Sequence, residues 1–174
     1  MLIGKFIRLV EDHADQLTES WIKEVRTNPS TRSYRDFSDE VLSKRIYDVF
    51  KRLGNWLLNE DPADKKTAEH FMNLGYERAQ EGFKVSEVIY ALILSRVTLC
   101  RFVDKHGLIN SALEIQKAQE FNRRVTAFFD KAIYFMALGY ETIHNREADK
   151  VKKVEHVEKA ISSITKWIIT DTHN

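Results

Sequence analysis

Residues 75–103 read GYERAQEGFKVSEVIYALILSRVTLCRFV, and the second half of this stretch decides the fold. Residues 88–94 are seven consecutive apolar or aromatic side chains, inside a segment, 85–103, that contains neither Gly nor Pro. A segment of that length is too long for an ordinary strand. As a helix it would be apolar on nearly every side, and such a helix must be enclosed by other helices. The stretch therefore predicts the central helix, about residues 86–104, of an all-α domain.

Composition and charge narrow the class of protein. A chain of 174 residues with two prolines and six glycines suits one domain of long helices. Its net charge of +1, with the signs interspersed, gives no indication of nucleic acid or of a membrane as partner. Glu87, Arg96 and Arg101 argue against a membrane span in the apolar helix. The absence of a signal-peptide pattern and the single cysteine, Cys100, predict a cytoplasmic protein with a buried thiol.

Apolar residues at helical spacing predict further helices on both sides of the central one. They are expected over about residues 2–27, 38–57 and 62–81, and from about residue 110 onward, with a polar loop at 28–37. Gly75 lies inside the third of these helices, where it predicts a close approach of another helix, and Gly82 is expected to end that helix. Together these elements predict a globin-like bundle of five or more helices with a long C-terminal helix.

The C-terminal segment carries an apolar seam with heptad spacing. The seam residues are Val151, Val154, Val157, Ile161, Ile164 and Ile168. A seam of this kind, flanked by charges of both signs, is typical of a coiled coil. The chain is therefore expected to divide into a sensor-like domain, 1–145, and a helical extension, 146–174. The extension is expected to form a homodimer or to contact an output protein, although folding back on the bundle stays an alternative.

The sequence gives little indication of a haem site, a metal site or a catalytic site. A haem ligand would need a histidine on an apolar wall; His13 and His70 come nearest, but each stands beside an acidic residue. Glu141 and His144 form one Glu-x-x-His motif, whereas a di-metal bundle needs two. Neither a nucleophile with its base nor a phosphate loop is found. We therefore expect no catalytic residue, no metal and no cofactor, with a haem or lipid carrier as the alternative to a regulatory domain.

Two groups of residues are candidates for a functional site. Four ionisable side chains lie within the apolar helices, namely Arg78, Glu87, Arg96 and Asp130. Buried charges must be paired, so these predict an internal network, unless each side chain reaches solvent along its stem. Four aromatic residues are candidates for a ligand pocket between the central and fifth helices, namely Tyr90, Phe128, Phe129 and Tyr134. The alternative is a solid core without a cavity.

Several short motifs resemble the N-terminal domain of RsbRD-type stressosome co-antagonists. The motifs are Gly75-x-x-Arg78-Ala79-x-x-Gly82, Ser86-Glu87-Val88, Ala91-Leu92, Arg96, Phe128-Phe129-Asp130-x-Ala132 and Gly139-Tyr140, together with Trp21. The similarity extends over about residues 5–143.

The resemblance implies a helical sensor domain with globin-like features, dimeric and usually without haem. Such a domain would pass a signal through its C-terminal helix to an output domain, and some non-haem relatives accommodate fatty-acid-like ligands. It implies no catalytic residues. Because no output domain follows in this sequence, the expectation is either a fragment of a longer protein or a tail that contacts its partner directly.

Overall fold

A computed structural model describes the backbone of residues 3–58 and 62–171 and the side chains of residues 3–58 and 65–146. Within these ranges the chain is all-α, as the sequence predicts, and it ends in a long helix. The elements are α1 (Gly4–Asp12), α2 (Ala14–Thr27), a 3₁₀ helix (Pro29–Asp36), α3 (Asp39–Lys51), α4 (Leu53–Leu58), α5 (Pro62–Gln80), α6 (Val85–His106) and α7 (Ala112–Asp171).

Helix α6 is the predicted central helix, and it begins and ends within two residues of the expected bounds. It contacts α1, α2, α5 and the 3₁₀ helix. Its buried side chains occur on several sides of the helix, which is what an apolar segment enclosed by neighbours requires. Phe121, Val125 and Phe129 of α7 belong to the same core. The core of the bundle is therefore built around α6.

The single helix predicted over residues 2–27 was wrong, because the chain breaks at His13. His13 has φ −116° and ψ 25°, which separates α1 from α2. Its Nδ1 atom donates to the carbonyl oxygen of Leu9 at 2.8 Å. That carbonyl would accept the backbone N–H of His13 in a continuous helix, so the side chain competes with the backbone for it.

The predicted helix over residues 38–57 also breaks, at Arg52, into α3 and α4. Ser38 caps α3 by accepting from the backbone N–H of Val41. At the start of α4 the backbone N–H of Gly54 donates to Glu11 Oε1 at 2.8 Å. The predicted polar loop at 28–37 is largely the 3₁₀ helix, with Tyr34 buried.

The close approach predicted at Gly75 is confirmed. A Cβ atom on Gly75 would lie 1.9 Å from the carbonyl oxygen of Met136, and a Cβ on Gly139 would lie 2.0 Å from that of Met72. Each helix therefore places a glycine against the backbone of the other. Next to this crossing, the Tyr140 hydroxyl donates to the carbonyl oxygen of Phe83 at 2.6 Å. Helices α5 and α7 pack backbone to backbone here.

Gly82 ends α5 in the way that the sequence predicts. It has φ +80°, a conformation that glycine adopts without strain. The N–H of Phe83 donates to the carbonyl of Arg78, and the N–H of Gly82 donates to that of Ala79. This pair of hydrogen bonds is the Schellman arrangement of a helix C-terminus.

The structure separates into two units, with the division between Tyr140 and Glu141. Helix α7 contributes residues to both. The predicted boundary at 145/146 stays a prediction, and so does the globin-like topology. The seam of Val151, Val154, Val157, Ile161, Ile164 and Ile168 falls where only the backbone is described, so its side-chain contacts lie outside the described residues.

Candidate functional site

The four predicted buried charges make three separate sets of contacts. Arg78 and Glu87 are buried. Arg96 Nη1 lies 3.5 Å from Asp130 Oδ1, linking α6 to α7, but the two side chains are 29% and 65% exposed. Positions 87 and 96 are nine residues apart, about two and a half helical turns, so they face opposite sides of α6. A single network of all four residues is therefore not formed.

Arg78 is part of a cluster that the sequence did not reveal. Glu81 lies between two guanidinium groups: its Oε2 is 3.0 Å from Arg78 Nη1 and its Oε1 is 2.8 Å from Arg45 Nη2. The Arg78 and Arg45 side chains are only 6% and 12% exposed. Arg45 belongs to amphipathic α3, between Leu42 and Val49 on the apolar face. That spacing is the signal that could have placed it at the edge of the core.

Aromatic rings enclose the Arg45 guanidinium. It lies 4.3 Å from the ring centre of Phe37 and 5.6 Å from that of Phe83. These two rings stack on each other, and Tyr34 meets Phe83 edge to face. Burial lowers the pKa of Arg45, and the charge of Arg78 lowers it further. Burial also raises the pKa of Tyr34, an effect that the two arginines oppose. The phenol therefore stays neutral and both guanidiniums need an anionic partner.

Glu87 ties the 3₁₀ helix to the beginning of α6. Its carboxylate accepts from the Ser33 hydroxyl and, at 3.3 Å, from the Ser33 backbone N–H. The position in the first turn of α6 also suits a negative charge, because the helix dipole is positive at that end. Glu87 is therefore satisfied locally by hydrogen bonds to Ser33, and among the described residues it forms no ion pair with Arg78 or Arg96.

The carbonyl of Ala91 accepts two side-chain hydrogen bonds in the middle of α6. The Trp21 indole N–H donates to it at 3.1 Å, and the Ser95 hydroxyl donates at 2.8 Å. Trp21 also meets Tyr34 edge to face. The indole thus connects α2, α6 and the aromatic residues around Arg45.

A small interior cavity lies between these groups. Its volume is about 30 Å³, and it is lined by Trp21, Tyr34, Arg45, Ile46, Leu74, Arg78, Val88, Ala91, Leu92 and Ser95. On the outer side of the arginine pair lies an open groove of about 440 Å³ between α3 and α5. Arg45, Leu74 and Arg78 line both spaces, so the cavity and the groove adjoin at these residues.

The predicted aromatic pocket stays a prediction, and the structure places its four residues in two different environments. Tyr90 and Tyr134 are 36% and 62% exposed, so they do not line an interior space. Phe128 and Phe129 are buried in the core, where Phe128 contacts Phe71 edge to face. The difference in exposure follows from the helical period of 3.6 residues. Tyr90 follows buried Val88 by two residues, which turns it about 200° away from that side of α6.

The histidines do not converge on a cofactor site. His13 is exposed beside Phe102, and His70 packs on Trp56, where burial lowers its pKa. Neither lines the interior cavity. Among the side chains that the structure describes, no three His, Cys, Asp or Glu residues group as a metal site. In the same part of the chain, no helix combines the length and apolar character that a membrane crossing needs.

Comparison with known proteins identifies the family. The sequence profile of the family described as RsbT co-antagonist protein rsbRD N-terminal domain matches residues 15–150. No curated protein and no solved structure gives a significant match. The profile covers most of the chain, including Trp21, the Gly75–Gly82 motif and the Gly75–Gly139 crossing. The chain therefore belongs to the RsbT co-antagonist protein rsbRD N-terminal domain family.

Proposed function

We propose that this chain is a non-enzymatic regulatory domain of cytoplasmic stress signalling that acts through protein–protein contacts. The observation that carries the proposal is the family match over residues 15–150. The name of the family describes a co-antagonist of RsbT, which makes a signalling protein of that class the expected type of partner. In this view the bundle receives a signal and the C-terminal part of α7 transmits it.

The amino-acid pattern of the tail supports a homodimer as the signalling form. Residues 151–168 carry an apolar residue at every third or fourth position, and helix propensity alone leaves an isolated helix of this length marginal. Burying such side chains stabilises a complex by about 1.5–3 kcal/mol each. The flanking residues carry charges of both signs, as in a parallel coiled coil. Two bundles joined in this way would share one output helix pair.

Two other partners could cover the same seam. The tail could fold back on its own bundle, or it could bind an output protein directly. A dimer predicts that the sedimentation coefficient depends on the seam, whereas a fold-back predicts a monomer with or without it.

Sedimentation velocity on the whole chain tests the dimer. A variant that ends at Asn145 and a full-length Ile161→Glu, Ile164→Glu variant should sediment as monomers, and the whole chain as a dimer. A matched control, Ser162→Glu with Ser163→Glu, adds the same charge at positions off the heptad seam and should remain dimeric. A monomeric whole chain, or a seam variant that dimerises as well as the control, would refute the proposal.

The alternative role as a carrier of lipid or haem gains no specific support. The described interior cavity of about 30 Å³ is far below the roughly 300–1,000 Å³ of pockets for larger ligands. A fatty-acid-like ligand therefore stays a prediction of the family resemblance and is not part of this proposal.

A further inference from the structure

The interior cavity beside Arg45 and Arg78 has no part in the signalling role proposed above. We propose that it binds a small monocarboxylate of the size of formate or acetate. The carboxylate would bond to the Arg45 guanidinium, and the short apolar end would face the aliphatic side of the cavity. This inference does not depend on a dimer through the tail, and its test below uses a different observable.

The charged residues that line the cavity favour an anion as its ligand. Of the ten described residues that line it, two are arginines and none is acidic. The carboxylates that pair with these arginines, Glu77 and Glu81, line the outer groove instead. The acidic partners of the two arginines therefore lie outside the cavity lining, and a buried charge gains most from an opposite one where water is scarce.

A specific donor is available. Arg45 Nη1 is buried and has no hydrogen-bond partner among the described residues, whereas Nη2 of the same group is bonded to Glu81. An unmet buried donor is costly, and an anionic acceptor is the partner that satisfies a guanidinium best. A carboxylate oxygen can accept from Nη1 while Nη2 stays bonded to Glu81.

The size and the remaining lining select the class of carboxylate. A volume of about 30 Å³ holds about two water molecules. It therefore excludes an alkyl chain or an aromatic acid. Half of the lining is aliphatic, namely Ile46, Leu74, Val88, Ala91 and Leu92. Such a wall suits a hydrogen or methyl substituent and disfavours phosphate, whose oxygens would all need partners.

The groove between α3 and α5 gives the route of entry. The groove adjoins the cavity at the shared residues Arg45, Leu74 and Arg78. Glu81 holds both guanidiniums from the groove side and is itself 34% exposed. It therefore competes with an entering carboxylate for the same two cations. Removing its charge should strengthen binding, whereas removing Arg45 should weaken it.

Trp21 provides the readout, because its indole lines the cavity while Trp56 does not. In ¹⁵N-labelled full-length protein, sodium chloride is replaced by sodium acetate at constant ionic strength and neutral pH. The Trp21 indole resonance, assigned with Trp56→Phe and Trp167→Phe variants, should shift and saturate. The Trp56 resonance should change little, and inorganic phosphate should produce no saturable shift.

Three variants complete the test. Arg45→Met should weaken acetate binding about tenfold or more, the loss expected for one charged hydrogen bond. Glu81→Gln should tighten it, and Lys51→Met, at an exposed position at the end of α3 that lines neither the cavity nor the groove, should leave it unchanged. If Arg45→Met does not fold, Arg45→Lys, which keeps the charge but has one nitrogen in place of Nη1 and Nη2, should also bind more weakly. No saturable shift of Trp21, an equal response to phosphate, or unchanged affinity in the Arg45 variant would overturn the proposal.

Discussion

Gly75 of α5 lies directly on the backbone of Met136 in α7, where a Cβ atom would approach the carbonyl oxygen to 1.9 Å. Gly139 makes the reciprocal approach to Met72. Two glycines therefore allow the helices to cross at a distance that no other residue permits. Both belong to motifs on which the family resemblance rests, so the geometry explains why this residue type is needed there.

Gly75→Ala should destabilise the fold even though alanine favours a helix by about 1 kcal/mol over glycine. The added methyl group meets backbone atoms that cannot rotate away, so the helices must separate. A net loss of about 1–3 kcal/mol in the free energy of unfolding is expected. Urea denaturation measures it, with Glu69→Ala on the exposed side of α5 as control. A stabilised Gly75→Ala protein would contradict the close crossing.

Leu92→Ala tests the central position of α6. Leu92 is 6% exposed, so its truncation removes buried apolar area and leaves a cavity. A loss of about 2–5 kcal/mol is expected. Tyr90→Ala in the same helix removes a larger but partly exposed side chain and should cost clearly less. Equal losses for the two variants in chemical denaturation would place α6 differently in the bundle.

The Arg96–Asp130 pair should contribute little, in contrast to the expectation of a buried network. Both side chains are more exposed than those of Arg45 and Arg78, and water screens exposed pairs. A double-mutant cycle with Arg96→Ala and Asp130→Ala should give a coupling of about 0–1 kcal/mol. A coupling above about 2 kcal/mol would show that the pair is desolvated after all.

Cys100 should react slowly with alkylating reagents. Burial, followed by the charge of Asp104, raises the pKa of its thiol from 9.0 to about 11. Since the thiolate is the reactive form, the rate of alkylation of the native protein at pH 8 should be about 100-fold below the rate in denaturant. Restricted access of the reagent to the thiol would lower the native rate further. The native rate should also continue to rise with pH beyond 9, where the denatured rate levels off. Parallel pH profiles in iodoacetamide labelling would contradict the buried environment. As the only cysteine, Cys100 gives an unambiguous signal.

Structural features that depend on the type and spacing of neighbouring residues could be predicted from the sequence. The apolar run of α6, the stop at Gly82 and the close approach at Gly75 each follow from residue type and spacing. The break at His13 could not be predicted, because the helical spacing of apolar residues continues through it. The break depends on the His13 side chain, which competes with the backbone for the carbonyl oxygen of Leu9.

The candidate site was only partly predictable. Arg78 and Glu87 lie on the apolar faces of their helices, so the sequence indicates that both charges are buried. Their partners are distant in sequence: Arg45 joins Arg78 through Glu81, and Ser33 joins Glu87. The predicted aromatic pocket stays a prediction, and Tyr90 and Tyr134 lie away from the most buried faces of their helices.

Cross-linking of the tail tests the central claim, a parallel homodimer through residues 151–168, most directly. In a Cys100→Ser background, Val157→Cys places a thiol on the heptad seam, and Lys159→Cys places one on the opposite side of the helix. In a parallel dimer the two seam thiols face each other, so mild oxidation should convert Val157→Cys, but not Lys159→Cys, into a disulfide-linked dimer on a non-reducing gel. No cross-link at Val157, or equally fast cross-linking at Lys159, would contradict the account.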